Sequence, residues 1–178
     1  MKPMNNAAMD TLSRKLGASL LKRGRTLSTA ESCTGGMVAE VITDVPGSSR
    51  YFVGGVVGYS NGAKAGVLRV GRGLLARHGA VSKEVAGAMA KGVKRLMHTD
   101  CAIAVTGIAG PDGGTARKPV GLVYIAVADR GKVHIQKFIF KGDRHANREM
   151  ATRRGIRMLM ALLRSCPPRP SRCAEASS

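Results

Sequence analysis

The chain of 178 residues carries 29 Lys+Arg against 11 Asp+Glu, a formal net charge of +18. Hydrophobic residues make up 44% and mean hydropathy is −0.04, values of a folded globule and not of a disordered basic tail. The longest clean apolar run, Val120 to Ala128, is nine residues, well short of the roughly 20 that a membrane-spanning helix needs.

From the N-terminus, no apolar stretch follows Lys2, so no secretory signal is expected and the chain reads as cytoplasmic. Met9, Leu12, Leu16 and Leu20 recur at three- and four-residue spacings, which predicts an amphipathic helix ending near Gly24. Thr26 to Ala30 reads as a short strand. Glu31-Ser32-Cys33-Thr34-Gly35-Gly36 is then a sharp turn into a helix with Met37, Val38, Val41 and Ile42 on one face. Val53 to Tyr59 reads as a second strand and Asn61 to Leu68 as helical.

Ser82 suits an N-cap for a helix presenting Val85, Met89, Val93 and Met97. Cys101 to Val105 is a continuous apolar run, the mark of a strand buried on both faces. A Gly/Pro loop, Gly107 to Pro119, precedes Val120–Ala128 and Lys132–Phe140, which read as a hairpin about Asp129-Arg130-Gly131. The last helix runs from about Asp143 to Leu163, before Pro167, Pro168 and Pro170. Helices and strands alternate with one late hairpin, so the expected fold is an α/β sandwich with a mixed sheet. One domain over residues 1–165 is expected, followed by a basic, Pro/Ser-rich, disordered tail over 166–178.

Cys33, Cys101, Cys166 and Cys173 show no CxxC spacing and read as reduced thiols. The four histidines are dispersed, so no metal site is expected. Charge is uneven along the chain. Residues 30–60 hold one basic and three acidic groups, 61–99 hold eight and one, and 137–178 hold ten and three. Such an excess fits nucleic acid, an anionic metabolite or solubility alone.

A small hydroxyl between a strand end and a helix start sits where backbone N–H groups converge, a common place for a nucleophile. Ser32 and Cys33 are the candidates there; alternatively Ser32 or Thr34 only caps the helix. A serine nucleophile needs a base. Lys64, after a buried-looking strand and between Ala63 and Ala65, can serve if burial lowers its pKa, with Tyr59 orienting it or relaying a proton. It is otherwise one more solvated lysine. The loop from Thr106 and Gly107 to Thr115 follows a buried strand, and is either an anion-binding edge or a long turn. In Gly142-Asp143-Arg144, Arg144 could clamp a phosphate; alternatively Asp143 is an N-cap and Arg144 a surface charge.

Six motifs then occur in order. They are Thr29-Ala30-Glu31-Ser32-Cys33-Thr34-Gly35-Gly36, Gly54-Gly55-Val56-Val57-Gly58-Tyr59-Ser60-Asn61 with Lys64, and His78-Gly79-Ala80-Val81-Ser82. Val105-Thr106-Gly107-Ile108-Ala109-Gly110-Pro111, Lys118-Pro119-Val120-Gly121 and Gly142-Asp143-Arg144 complete the set. Over about residues 8–164 this resembles the CinA C-terminal domain family, in its stand-alone nicotinamide-nucleotide amidase form.

The resemblance implies a three-layer α/β/α fold and hydrolysis of nicotinamide mononucleotide to nicotinate mononucleotide and ammonia, without metal or cofactor. It implies Ser32 as nucleophile, Lys64 as its base and Tyr59 assisting, with Thr106 and Arg144 lining the site. Thr34, Gly35 and Gly107 are expected to hold substrate, and amides near Cys33, Thr34 and Gly35 to meet the oxyanion. The positive pyridinium ring suits the mildly acidic stretch containing Glu31. One departure stands out: Gly62 replaces the Glu that usually follows the Asn, which removes a carboxylate near the presumed base. Two-domain relatives carry a further N-terminal domain for which this chain has no room. A homodimer is what the resemblance suggests. Rival readings are a nucleic-acid binder, a non-catalytic competence or DNA-damage adaptor, and a hydrolase using Cys33. The three Phe and three Tyr offer little for base stacking, which disfavours the first.

Overall fold

Side chains alternate between the two faces of a strand, and in this chain the alternation sorts them by size. In a computed structural model, which describes residues 6–165, five strands form one sheet in the order β2-β1-β3-β4-β5. They are β1 (Leu27–Glu31), β2 (Phe52–Val57), β3 (Cys101–Gly107), β4 (Leu122–Asp129) and β5 (Lys132–Ile139). β1 runs parallel to β2 and β3, whereas β3–β4 and β4–β5 are antiparallel. The sheet is therefore mixed, as expected, with the hairpin at its β5 edge. The tail over 166–178, including Cys166 and Cys173, lies outside the described residues.

One face presents Cys101, Ile103, Val105, Val123, Ile125 and Val127 to α1 (Asn6–Lys22), α2 (Met37–Thr43) and α6 (Arg144–Ser165). The other presents Ala102, Ala104, Ala126 and Ala128 to Val85, Met89 and Val93 of α5 (Lys83–Leu96). Two shorter helices, α3 (Asn61–Gly66) and α4 (Arg72–His78), lie on that side through Ala65, Leu74 and Leu75. Three layers result. The alanine face lets α5 pack deeply: a Cβ on Gly87 would stand 2.9 Å from Ile135 Cδ1, and one on Gly92 would run into the Leu68 carbonyl.

Ser82 caps α5 as expected, accepting from Val85 N–H at 3.3 Å. α4 was not anticipated, because seven residues with only Leu74 and Leu75 as large apolar side chains carry little periodic signal. In the register, Glu31 pairs with both Val57 and Val105. The turn after β1, the segment after β2 and the loop after β3 thus leave the sheet at the same end. Ligands bind at that end in open α/β sheets.

Candidate active site

Ser32 is the first residue beyond β1, and its N–H donates to Val105 O at 2.9 Å, so the turn begins from a fixed point. Gly35 and Gly36 follow with φ of 60° and 101°, left-handed conformations that reverse the chain into α2. The expected serine or threonine cap is absent. Instead the Glu31 carboxylate accepts from Gly36 N–H and Val38 N–H, both at 3.0 Å, and Ala39 N–H at 2.9 Å. An anion satisfies three orphan donors there and complements the helix dipole. The substitution leaves the Ser32 hydroxyl free. It also corrects the expectation for Glu31 itself, whose buried carboxylate is committed to α2 and does not face a cationic ring.

Lys64 comes from α3, whose N-cap Ser60 accepts from Ala63 N–H at 3.0 Å. Gly58 lies against this helix and the residues just after it: a Cβ there would meet Leu68 Cδ1 at 3.3 Å and touch Lys64 Cγ at 3.6 Å. The side chain is only 1% exposed, and Nζ stands 3.0 Å from Ser32 Oγ. Nζ also donates to Gly58 O at 2.8 Å and to Tyr59 O at 3.4 Å. All three contacts are uncharged oxygens. Burial therefore pushes the Lys64 ammonium below its ordinary value of 10.5, because desolvation penalises the charged form. The alternative of a solvated surface lysine is excluded.

A cleft of about 270 Å³ opens over this pair, lined by Ser32, Lys64, Tyr59, Thr106, Gly107 and Arg144 among others. Thr106 Oγ1 donates to Ala80 O at 2.8 Å, pinning the segment before α5 to the end of β3. Lys118 Nζ reaches the same segment, donating to His78 O at 2.9 Å and Val81 O at 2.8 Å. Asp143 caps α6 through Ala146 N–H at 2.8 Å, and Arg144 points into the cleft. The cap and a guanidinium at the cleft thus occur side by side in that motif. Arg144 Nη1 donates to Gly110 O at 2.7 Å and Nη2 to the Tyr59 hydroxyl at 2.9 Å. Tyr59 touches Lys64 through its backbone carbonyl, while its phenol belongs to Arg144.

Thr34 and Gly35 do not line the cleft. Thr34 is fully buried, and its carbonyl accepts from Arg148 Nη2 at 2.8 Å and Nε at 3.2 Å. The Gly35 N–H donates to Ser32 O at 3.1 Å. Both residues hold the turn in shape. Cys33 borders the cleft, but burial, then the nearby Glu31 charge, pushes its thiol up to about 11. At neutral pH it is a protonated and poor nucleophile. Gly62 is exposed and lines a separate groove with Asn61, Ala65, Arg72, Leu75 and Ala76. The carboxylate missing at that position would face Arg72's groove and not the cleft.

Sequence reasoning missed Arg148 and Asn147. Asn147 is buried, donates to Ala109 O at 3.0 Å and Gly142 O at 2.9 Å, and accepts from Gly142 N–H at 3.0 Å. It fastens the loop after β3 to the start of α6. A signal was present: Arg144, Asn147 and Arg148 recur at three- and four-residue spacing and so share one face of α6. Among the described residues no group of three or more His, Cys, Asp or Glu is placed to hold a metal ion, and no helix is long and apolar enough to cross a membrane.

The CinA C-terminal domain family profile matches residues 9–163. A CinA-like protein from Desulfotalea psychrophila is 49% identical over 154 residues, covering 86% of this chain and 37% of the relative. Another, from Geobacter sp. strain M21, is 56% identical over 130 residues, covering 73% and 31%. The chain thus spans about a third of these curated relatives' length. Among solved structures, the competence/damage inducible protein CihA from Agrobacterium tumefaciens superposes with a TM-score of 0.85 at 41% identity, covering 86% of this chain and 94% of that one. A CinA superfamily protein from Klebsiella pneumoniae gives 0.86 at 36% identity, covering 89% and 99%. Profile, sequence and fold agree, and the chain belongs to the CinA C-terminal domain family.

Proposed function

We propose that residues 1–165 form an amidase that hydrolyses nicotinamide mononucleotide to nicotinate mononucleotide and ammonia through an acyl-enzyme on Ser32. The observation that carries this reading is the buried Lys64 Nζ, 3.0 Å from Ser32 Oγ and surrounded by uncharged oxygens. As a free amine, Lys64 keeps two N–H bonds, to Gly58 O and Tyr59 O, and turns its lone pair to the serine hydroxyl. Ser32 Oγ attacks the carboxamide carbon while Lys64 takes its proton. The resulting ammonium passes that proton to the amide nitrogen as the C–N bond breaks, and ammonia leaves. Water then attacks the ester, losing a proton to Lys64, and Ser32 recovers a proton as the carboxylate departs.

Among the described residues the Cys33 N–H donates to no protein acceptor and Cys33 borders the cleft, which leaves that N–H as a donor for the oxyanion. One such donor is worth about 3–4 kcal/mol. Gly35 N–H is already committed to Ser32 O and takes no part. Arg144, with the Tyr59 hydroxyl held against it, suits the substrate phosphate. Purified protein should release ammonia and nicotinate mononucleotide in equal amounts, Ser32→Ala should release neither, and Cys33→Ala should remain active. Retained turnover in Ser32→Ala would refute the reading.

A further inference from the structure

Three charged side chains line the cleft: Lys64, Arg144 and Asp112. Lys64 sits at the floor against uncharged oxygens. Arg144 is held by Gly110 O and the Tyr59 hydroxyl. Asp112 lies two residues beyond Gly110, on the exposed rim of the loop after β3. It takes part in none of the ion pairs among the described residues. Glu31, the carboxylate nearest Ser32 in sequence, is used up in capping α2. Asp112 is therefore the one carboxylate the cleft lining offers to a ligand.

We propose that Asp112 makes this cleft selective for a ligand whose ring is permanently cationic, the oxidised pyridinium of a nicotinamide nucleotide, over the neutral dihydropyridine of the reduced form. The inference rests on the amidase reading and deepens it. With the carboxamide at Ser32 and the phosphate at Arg144, the ring and ribose lie within the cleft whose lining includes Asp112. A cation there, beside Arg144, needs a negative counterpart, and a neutral ring does not. An exposed rim charge is screened by water, so the discrimination is about three- to fivefold in affinity.

The test is equilibrium binding by calorimetry to Ser32→Ala protein, which holds ligand without turning it over. The probes are nicotinamide mononucleotide and its dihydro form. Adding Asp112→Asn should weaken the oxidised ligand about three- to fivefold and leave the reduced one unchanged. Asp112→Lys should weaken the oxidised ligand further relative to the reduced one. If both ligands bind and Asp112→Asn leaves their ratio unchanged, or weakens both equally, the assignment of Asp112 falls while the amidase reading stands. If neither ligand binds the Ser32→Ala protein, both fall together.

Discussion

Lys64 and Arg144 border the same cleft with the same formal charge, and water separates their roles. Lys64 is 1% exposed, touches only uncharged oxygens, and is pushed by burial below its ordinary value of 10.5. Arg144 is exposed at the first residue of α6. On the proposed reading, desolvation turns one basic group into a proton acceptor, and exposure leaves the other to hold an anion. In a chain with 29 Lys+Arg, depth in the fold and not charge marks the chemistry.

Substitutions that erase this contrast should have the largest effects. Lys64→Arg keeps the charge but removes the proton acceptor, and should lower kcat by about 10³-fold or more. Steady-state ammonia release checks this; turnover within tenfold of wild type would put the base elsewhere. Arg148→Ala frees the Thr34 carbonyl, and with it the turn holding Ser32, so kcat should fall about 10²-fold with little change in KM. Arg144→Ala should act at the other end, raising KM about tenfold while kcat moves little. The opposite split for these two arginines would invert their assignments.

The contrast also has a signature in stability. Between the lowered folded value of Lys64 and the ordinary 10.5, the unfolded chain binds more protons than the folded one. Stability therefore rises with pH across that window. Lys64→Met lacks this dependence, so its Tm advantage over wild type should shrink as pH approaches 10.5, read by thermal unfolding across pH. The smallest effect is expected from Gly62→Glu. That position faces the neighbouring groove, a Cβ there meets nothing closer than Ser60 Oγ at 3.7 Å, and ammonia release should stay within about twofold of wild type.

What could be read in advance follows the range of the interactions. The Ser82 cap, the Asp143 cap, the buried strand over Cys101–Val105 and the hairpin are local, each signalled within a few residues. The pairing of Ser32 with Lys64 was suggested by small neighbours and by family resemblance, although 32 positions separate them. The hold of Arg148 on Thr34 spans 114 positions, and the helical spacing that places Arg148 on the face of Arg144 says nothing of that partner. Glu31 was misread for a different reason. A carboxylate ahead of a Ser/Gly turn looks free for a ligand until the two left-handed glycines bring the start of α2 back onto it. The same reversal moved Thr34 and Gly35 from the expected substrate wall into the support behind it.

The central claim is that burial lowers Lys64 so that its amine can take the Ser32 proton, and its titration can be followed directly by NMR of the Lys64 side-chain nitrogen in the folded protein. The account predicts a midpoint clearly below 10.5, with kcat/KM rising with pH through the same midpoint. A Lys64 that titrates at or above that ordinary value, while the protein remains folded and active, would contradict it.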